Sequence, residues 1–308
     1  MSLRSDCLVI GAGIAGMTAA LYLKRSNVNV ILIEKSAPGG QINMTSKIEN
    51  YPGFDSIDGP TLAMNIFNQI KSLGVEYRYG NVIDIVDTGK SKIVKTDMDE
   101  IECQVVIIAT GRIPKELGLE NEKQLTGRGV SWCAVCDGFF YKDKKVAIIG
   151  GGNCALEEAL FLADIAKKVY LIHRRDQFRA ELCLQDKINE KKNIEIIFNS
   201  NIIELKEKDN KLSEIILETK GKKESLPVDG LFIHVGFKPN LSFIKNLNIK
   251  TEDEYIIVDQ NMETNIKNIF ACGDVIKKDV YQLTTAVGEG AIAATNAKKR
   301  IDNTLNKI

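Results

Sequence analysis

The chain has 308 residues, 44% of them hydrophobic and 27% charged, which is room for about two globular domains. Its 41 Lys and Arg balance 41 Asp and Glu, so its charge offers no footprint for nucleic acid or an anionic membrane surface. No apolar run nears the ~20 residues that span a bilayer. The opening Met1-Ser2-Leu3-Arg4-Ser5-Asp6 lacks the pattern of an export signal, so reducing cytoplasm is the expected compartment.

The first predicted element is the apolar run Cys7-Leu8-Val9-Ile10, a buried strand. It leads into Gly11-Ala12-Gly13-Ile14-Ala15-Gly16, a helix over 17–25, and a second strand over 28–33 that ends at Glu34. Strand, glycine turn, helix, strand and acid in that order open a dinucleotide-binding fold. The glycines permit a tight turn and close backbone approach to a pyrophosphate seated on the helix N-terminus. Glu34 falls twenty-three residues after Gly11, where a carboxylate accepts hydrogen bonds from a ribose diol.

Two turns follow, Pro38-Gly39-Gly40-Gln41 and Glu49-Asn50-Tyr51-Pro52-Gly53-Phe54. Leu62, Ile66, Ile70 and Leu73 form the stripe of an amphipathic helix over 61–73. Strand patterns stand at 75–79, 82–86 and 92–96, and Val105 to Gly111 reads as a buried strand ending in a turn.

Trp132-Cys133-Ala134-Val135-Cys136-Asp137 carries two thiols three positions apart. That spacing can close a disulfide and suits a helix N-terminus, which lowers thiol pKa. In a reducing compartment such a pair is catalytic or metal-binding rather than a staple. Zinc would need a second pair of ligands at matching spacing, and the sequence shows none, so no metal is expected. The other five cysteines, Cys7, Cys103, Cys154, Cys183 and Cys272, are expected as small buried hydrophobes.

The first unit recurs with its glycine loop fourteen residues after Cys136: Val146–Ile149, then Gly150-Gly151-Gly152-Asn153-Cys154-Ala155, a helix over 156–166 and a strand over 169–172. The residue in the acid's register is His173, followed by Arg174, Arg175 and Arg179. A carboxylate favours a free 2′-hydroxyl and guanidinium groups a 2′-phosphate, so FAD is expected at the first loop and NADPH at the second. Strands at 194–198, 202–207 and 213–218 suggest an inserted meander, and 231–233 closes this half. His234 takes no assigned role.

Ile269-Phe270-Ala271-Cys272-Gly273-Asp274 is again a strand ending in glycine and an acid, and a long helix starts near Gln282. This segment answers the needs of the first domain. The expected fold is therefore α/β with two Rossmann-like dinucleotide-binding domains, the second inserted into the first. The FAD domain takes 1–112 and 241–308, and the NADPH domain with the cysteine pair takes 113–240. Pro114 and Pro239 stiffen the two crossings.

Taken together, G-A-G-I-A-G at 11–16, G-G-Q at 39–41, E-N-Y-P-G at 49–53, A-T-G at 109–111, C-A-V-C-D-G at 133–138, G-G-G-N at 150–153, H-R-R-D-Q-F-R at 173–179 and G-D-V at 273–275 resemble low-molecular-weight, bacterial-type thioredoxin reductase over essentially the whole chain. The resemblance implies a cytoplasmic homodimer with bound FAD that takes hydride from NADPH and reduces the disulfide of thioredoxin. It implies that Cys136 lies against the flavin, that Cys133 is the interchange thiol and that Asp137 is the general acid and base. FAD contacts are implied at Gly11, Gly13, Ile14, Ala15, Gly16, Glu34, Lys35, Gly39, Gly40, Gln41, Asn50, Val82, Thr110, Gly111, Gly273, Asp274, Val275, Gln282 and Leu283. NADPH contacts are implied at Gly150, Gly152, Asn153, Ala155, His173, Arg174, Arg175 and Arg179.

Three positions depart from the family's pattern: Ile14 where proline is common, Cys154 where threonine is, and Tyr281 where many members carry arginine. Other readings are a related flavoprotein serving another disulfide acceptor, and a nucleotide-binding redox sensor that does not turn over. A ferredoxin-linked enzyme of this fold would not need the arginine cluster.

Overall fold

The computed structural model describes residues 3–45 and 47–305. The chain divides into two compact units, Met1–Ile113 with Lys238–Ile308, and Pro114–Phe237.

In the first unit five strands run parallel: Glu76–Tyr79, Val30–Glu34, Leu3–Ile10, Glu100–Ile108 and the late strand Ile269–Ala271, which pairs with Glu100–Ile108. Lys92–Thr96 and Val82–Asp87 extend the sheet antiparallel. The central strands read as continuous apolar runs because both faces are covered. On one face Val9, Leu32 and Ile107 pack with the helices Ile14–Arg25 and Leu283–Leu305, and on the other Leu8, Ile31 and Val106 pack with Phe243, Ile244 and Val275. The two helices approach closely through a glycine, since a Cβ on Gly290 would stand 2.4 Å from the Ala15 carbonyl oxygen. The helix Gly59–Ser72 starts where the Asp58 side chain accepts the Thr61 N–H at 2.9 Å. Leu62 and Ile70 of its stripe are buried, whereas Leu73, one residue past the helix end, is exposed.

The second unit is a parallel sheet in the order Ile194–Ile197, Lys168–Ile172, Lys145–Gly150, Gly230–His234, Val130–Ser131. Its meander is the antiparallel trio Ser200–Lys208, Lys211–Thr219, Lys222–Pro227. The sequence pattern places 194–198 in the meander and gives no sign of the third strand. Ile194–Ile197 instead joins the parallel edge. Lys222–Pro227 is exposed along most of its length, so it carries no apolar alternation to betray it.

At the crossings Arg112–Pro114 and Phe237–Pro239 form a two-stranded sheet. Of the five remaining cysteines, Cys7, Cys103 and Cys272 are buried, and burial pushes the Cys103 thiol up to about 12. Cys154 and Cys183 are exposed, contrary to expectation. Both lie on helices, where turn by turn the chain presents one face outward, and small size does not decide which.

Candidate active site: two nucleotide loops and a cysteine pair

Each glycine of the first loop answers a different steric demand. Gly11 has φ +103° and its Cβ would lie 2.4 Å from the Ala109 carbonyl oxygen. Gly16 would drive a Cβ to 1.9 Å from the Gly11 carbonyl oxygen, so it brings helix and strand together. Gly13 would meet nothing within 4 Å, so its open side leaves the backbone free to receive a ligand. Gly13 is also the N-cap of Ile14–Arg25, and no side chain caps that helix. Turn, close approach and helix packing are the three parts of a pyrophosphate cradle. These residues therefore fit a dinucleotide. Gly13→Ala is expected to leave the unfolding free energy of the flavin-free protein within about 0.5 kcal/mol of the parent while lowering bound flavin. Gly16→Ala should cost about 1–3 kcal/mol through overpacking. Equal melting curves for the two variants would contradict this division of labour.

Glu34 is held in place: one carboxylate oxygen accepts the Ala12 N–H at 2.8 Å, the other the Ser36 N–H and hydroxyl, both at 2.9 Å. A cavity beside it is lined by Gly11, Glu34, Lys35, Val82 and Thr110, all expected from the sequence, and by Asn240, Ser242 and Phe243, which were not. Those three return from the far side of the inserted unit and adjoin no nucleotide motif. Asn240 is tied in by its N–H to the Gly111 carbonyl and by its own carbonyl, which accepts the Thr110 hydroxyl at 3.0 Å.

Toward the late strand, Gly39 donates its N–H to Ala12, Gln41 Nε2 donates to the Arg112 carbonyl at 3.0 Å, and Asn50 Nδ2 to Gln282 Oε1 at 3.3 Å. Asp274 pairs with Arg112 at 2.8 Å and with Lys278 at 3.4 Å, and Lys278 also pairs with Glu289 at 2.8 Å. Gly273 donates its N–H to Glu289 at 2.9 Å. Burial pushes the Glu289 carboxyl up despite the lysine. Gly273, Val275 and Leu283 flank these groups in the turn and in the helix that follows.

In the second loop Gly150 would place a Cβ 2.6 Å from that of Ala155, while Gly152, the N-cap of Asn153–Ala163, would meet nothing within 4 Å. The pattern of one closed and one open glycine recurs, so this loop also fits a dinucleotide. Asn153 is fastened to Glu181 in both directions, at 2.9 and 3.0 Å. Arg174, Arg175 and Arg179 are exposed, and the Arg179 N–H reaches the Gly151 carbonyl at 2.8 Å, which joins the basic turn to the loop.

His173 is placed differently from the arginines. The residue is 6% exposed, and its ring fills the space where Gly151 lacks a side chain, with a Cβ there only 2.2 Å away. Its Nε2 has no hydrogen-bond partner among the described residues. The imidazole thus supports the loop from beneath. Burial, with Arg179 and Arg174 nearby, lowers its pKa. Below the free-histidine value of ~6.5 the unfolded chain takes up a proton that the fold resists. Stability is therefore held above that pH and lost as pH falls through the depressed folded value. His173→Gln is expected to flatten the acid limb of the thermal midpoint below about pH 6.5, and an unchanged slope would exclude the histidine as its source.

Cys133 and Cys136 form a disulfide, with Cα atoms 5.4 Å apart. Cys133 caps the one-turn helix Ala134–Asp137, its sulfur accepting the Cys136 N–H at 3.1 Å. Asp137 accepts the Ser131 hydroxyl at 2.7 Å, and the Cys133 N–H donates to the same hydroxyl oxygen at 3.1 Å. The Ala134 N–H donates to Glu158 at 2.9 Å, and His234 Nε2 lies 2.6 Å from that carboxylate. Ser131, Glu158 and His234 were not legible as site residues, because they sit on three separate elements with no shared motif. Cys133 is only 7% exposed, whereas Cys136 is exposed.

Two dinucleotide cradles and a disulfide turn in one chain define a pyridine nucleotide-dependent disulfide oxidoreductase. The pattern of the pyridine nucleotide-disulphide oxidoreductase family matches residues 5–290. Thioredoxin reductases of Listeria monocytogenes and Bacillus subtilis are 42% and 40% identical over 299 residues, 96% of this chain and 94% and 95% of theirs. The solved thioredoxin reductase of Lactococcus lactis superposes with a TM-score of 0.92 at 42% identity, covering 97% of this chain and 99% of that one. The T. acidophilum thioredoxin reductase gives 0.89 at 31% identity, covering 98% and 99%. The chain belongs to the pyridine nucleotide-disulphide oxidoreductase family, in its thioredoxin reductase branch.

Proposed function

We propose that the protein is an NADPH-dependent thioredoxin reductase that uses FAD and the Cys133–Cys136 disulfide. The observation that carries this reading is that disulfide, set in a chain 42% identical to a thioredoxin reductase across its length. FAD is assigned to Glu34, the glycines at 11, 13 and 16, Lys35, Val82, Thr110 and Gly111, with Gly39, Gly40, Gln41, Asn50, Gly273, Asp274, Val275, Gln282 and Leu283 completing its cradle. NADPH is assigned to Gly150, Gly152, Asn153 and Ala155, with Arg174, Arg175 and Arg179 facing the 2′-phosphate. His173 acts by holding Gly151.

When bound, FAD supplies the step that a cysteine pair lacks, passing an electron pair from the nicotinamide to a disulfide. Reduction of the Cys133–Cys136 bond by two electrons and one proton gives a thiol and a thiolate. Asp137, which accepts the Ser131 hydroxyl at 2.7 Å, is assigned the giving and taking of that proton, as the resemblance implies. A thiolate of the pair then attacks the partner's disulfide, and its neighbour resolves the mixed disulfide, releasing the partner as a dithiol. The resemblance makes Cys133 the attacking thiol. Its sulfur is buried here as a helix cap, so that role requires the bond from the Cys136 N–H to open and the sulfur to emerge.

The same reading makes the protein a cytoplasmic homodimer, which sedimentation at twice the chain mass would test. Among the described residues no helix is long and apolar enough to cross a membrane. The decisive experiment mixes purified yellow protein with NADPH and oxidised thioredoxin. Bleaching of the flavin and release of thioredoxin thiols are expected. A flavin that stays oxidised under NADPH would overturn the reading, and bleaching without thioredoxin reduction would point to another disulfide acceptor.

A further inference from the structure

Tyr281 stands where many members of the family have arginine, and its surroundings show what the ring does. The Arg112 guanidinium carbon lies 4.1 Å from the ring centroid, and Lys278 Nζ lies 5.4 Å from it. These are the same two cations that grip Asp274, Arg112 through Nε and Nη2 at 3.1 and 2.8 Å and Lys278 at 3.4 Å. Arg112, Asp274 and Lys278 are at most 20% exposed, so water screens this cluster weakly. Tyr255 also packs against this ring at a tilt, its centroid 5.7 Å from that of Tyr281.

We propose that Tyr281 is a positioning residue for FAD: its aromatic face seats both cations that hold Asp274 and thereby sets the turn Gly273–Val275 against the first nucleotide loop. The contact of turn with loop is direct, since a Cβ on Gly273, at φ +77°, would stand 2.8 Å from the Ala15 Cβ. Arg112 is fixed at a second point by Gln41 on its carbonyl, so the ring governs the direction of its guanidinium more than the placement of its backbone. A neutral aromatic also leaves Arg112 and Lys278 matched by Asp274 and Glu289. An arginine there would set a third cation beside them. The attraction of a cation to a ring face requires the ring and not the hydroxyl.

This inference rests on the FAD assignment above, and the test separates the two. FAD release from the holoprotein is followed by recovery of flavin fluorescence after dilution. Tyr281→Leu is expected to release FAD about fivefold faster, the equivalent of one partly desolvated cation–π contact. Tyr281→Phe should release it within about twofold of the parent, because the face is kept. In an Arg112→Gln background, Tyr281→Leu should add less than about twofold, since the ring acts through that guanidinium. A parent protein without FAD would overturn the FAD reading itself. A parent that holds FAD, with Tyr281→Leu releasing it no faster, or with Phe as poor as Leu, or with Leu costing as much in the Arg112→Gln background, would overturn the role of Tyr281 alone.

Discussion

Cys136→Ser protein is expected to purify yellow, to be bleached by NADPH, and to reduce thioredoxin at least about a thousandfold more slowly than the parent, as when a nucleophile is removed from a unit that works together. The disulfide cannot form, so the relay between flavin and partner is cut, while neither nucleotide cradle contains the substituted atom. Cys136 contributes only its N–H to the cap of the helix Ala134–Asp137, and serine keeps that N–H. The fold around the turn therefore survives. The remaining Cys133 thiol should trap thioredoxin as a stable mixed disulfide if it is the attacking group. Loss of FAD along with activity would make the cysteine structural. Trapping by the Cys133→Ser protein alone would reverse the order of the two thiols and agree with the greater exposure of Cys136.

The second large effect concerns Arg174 and Arg175. Both are exposed beside the second glycine loop, and among the described residues neither forms an ion pair with a carboxylate. Each hydrogen bond from a guanidinium to a phosphate is worth about 1.5–3 kcal/mol. Replacing both with glutamine should therefore raise the KM for NADPH by about two orders of magnitude or more. The KM for NADH, which lacks the phosphate, should stay within about threefold. Steady-state kinetics with both nucleotides checks this, and a cofactor preference that does not move would remove the basis for assigning NADPH to this loop. Because Arg179 is tied to Gly151 through its backbone, changing its side chain should act the same way without loosening the loop.

What could be read from the residues alone was local and periodic. Gly11 to Glu34 and Gly150 to His173 are each a step of twenty-three residues because both units run through a glycine turn, a helix of twelve or eleven residues and a five-residue strand. The glycine roles follow for the same reason: a Cβ at Gly16 collides within its own unit. The cysteine pair is local as well, three residues apart on one turn. Tertiary structure decided whatever joins distant segments. Asn240 beside Thr110, Arg112 between Asp274 and Tyr281, and Glu158 between Ala134 and His234 each bring together side chains whose neighbours in sequence say nothing of them. Burial of His173 and exposure of Cys154 depend likewise on which face a fold turns inward. Spacing along a chain encodes a turn or a helix, where contacts are set by bond geometry. A contact across a sheet or between a late helix and an early loop depends on how whole elements pack, and no short stretch of sequence carries that information.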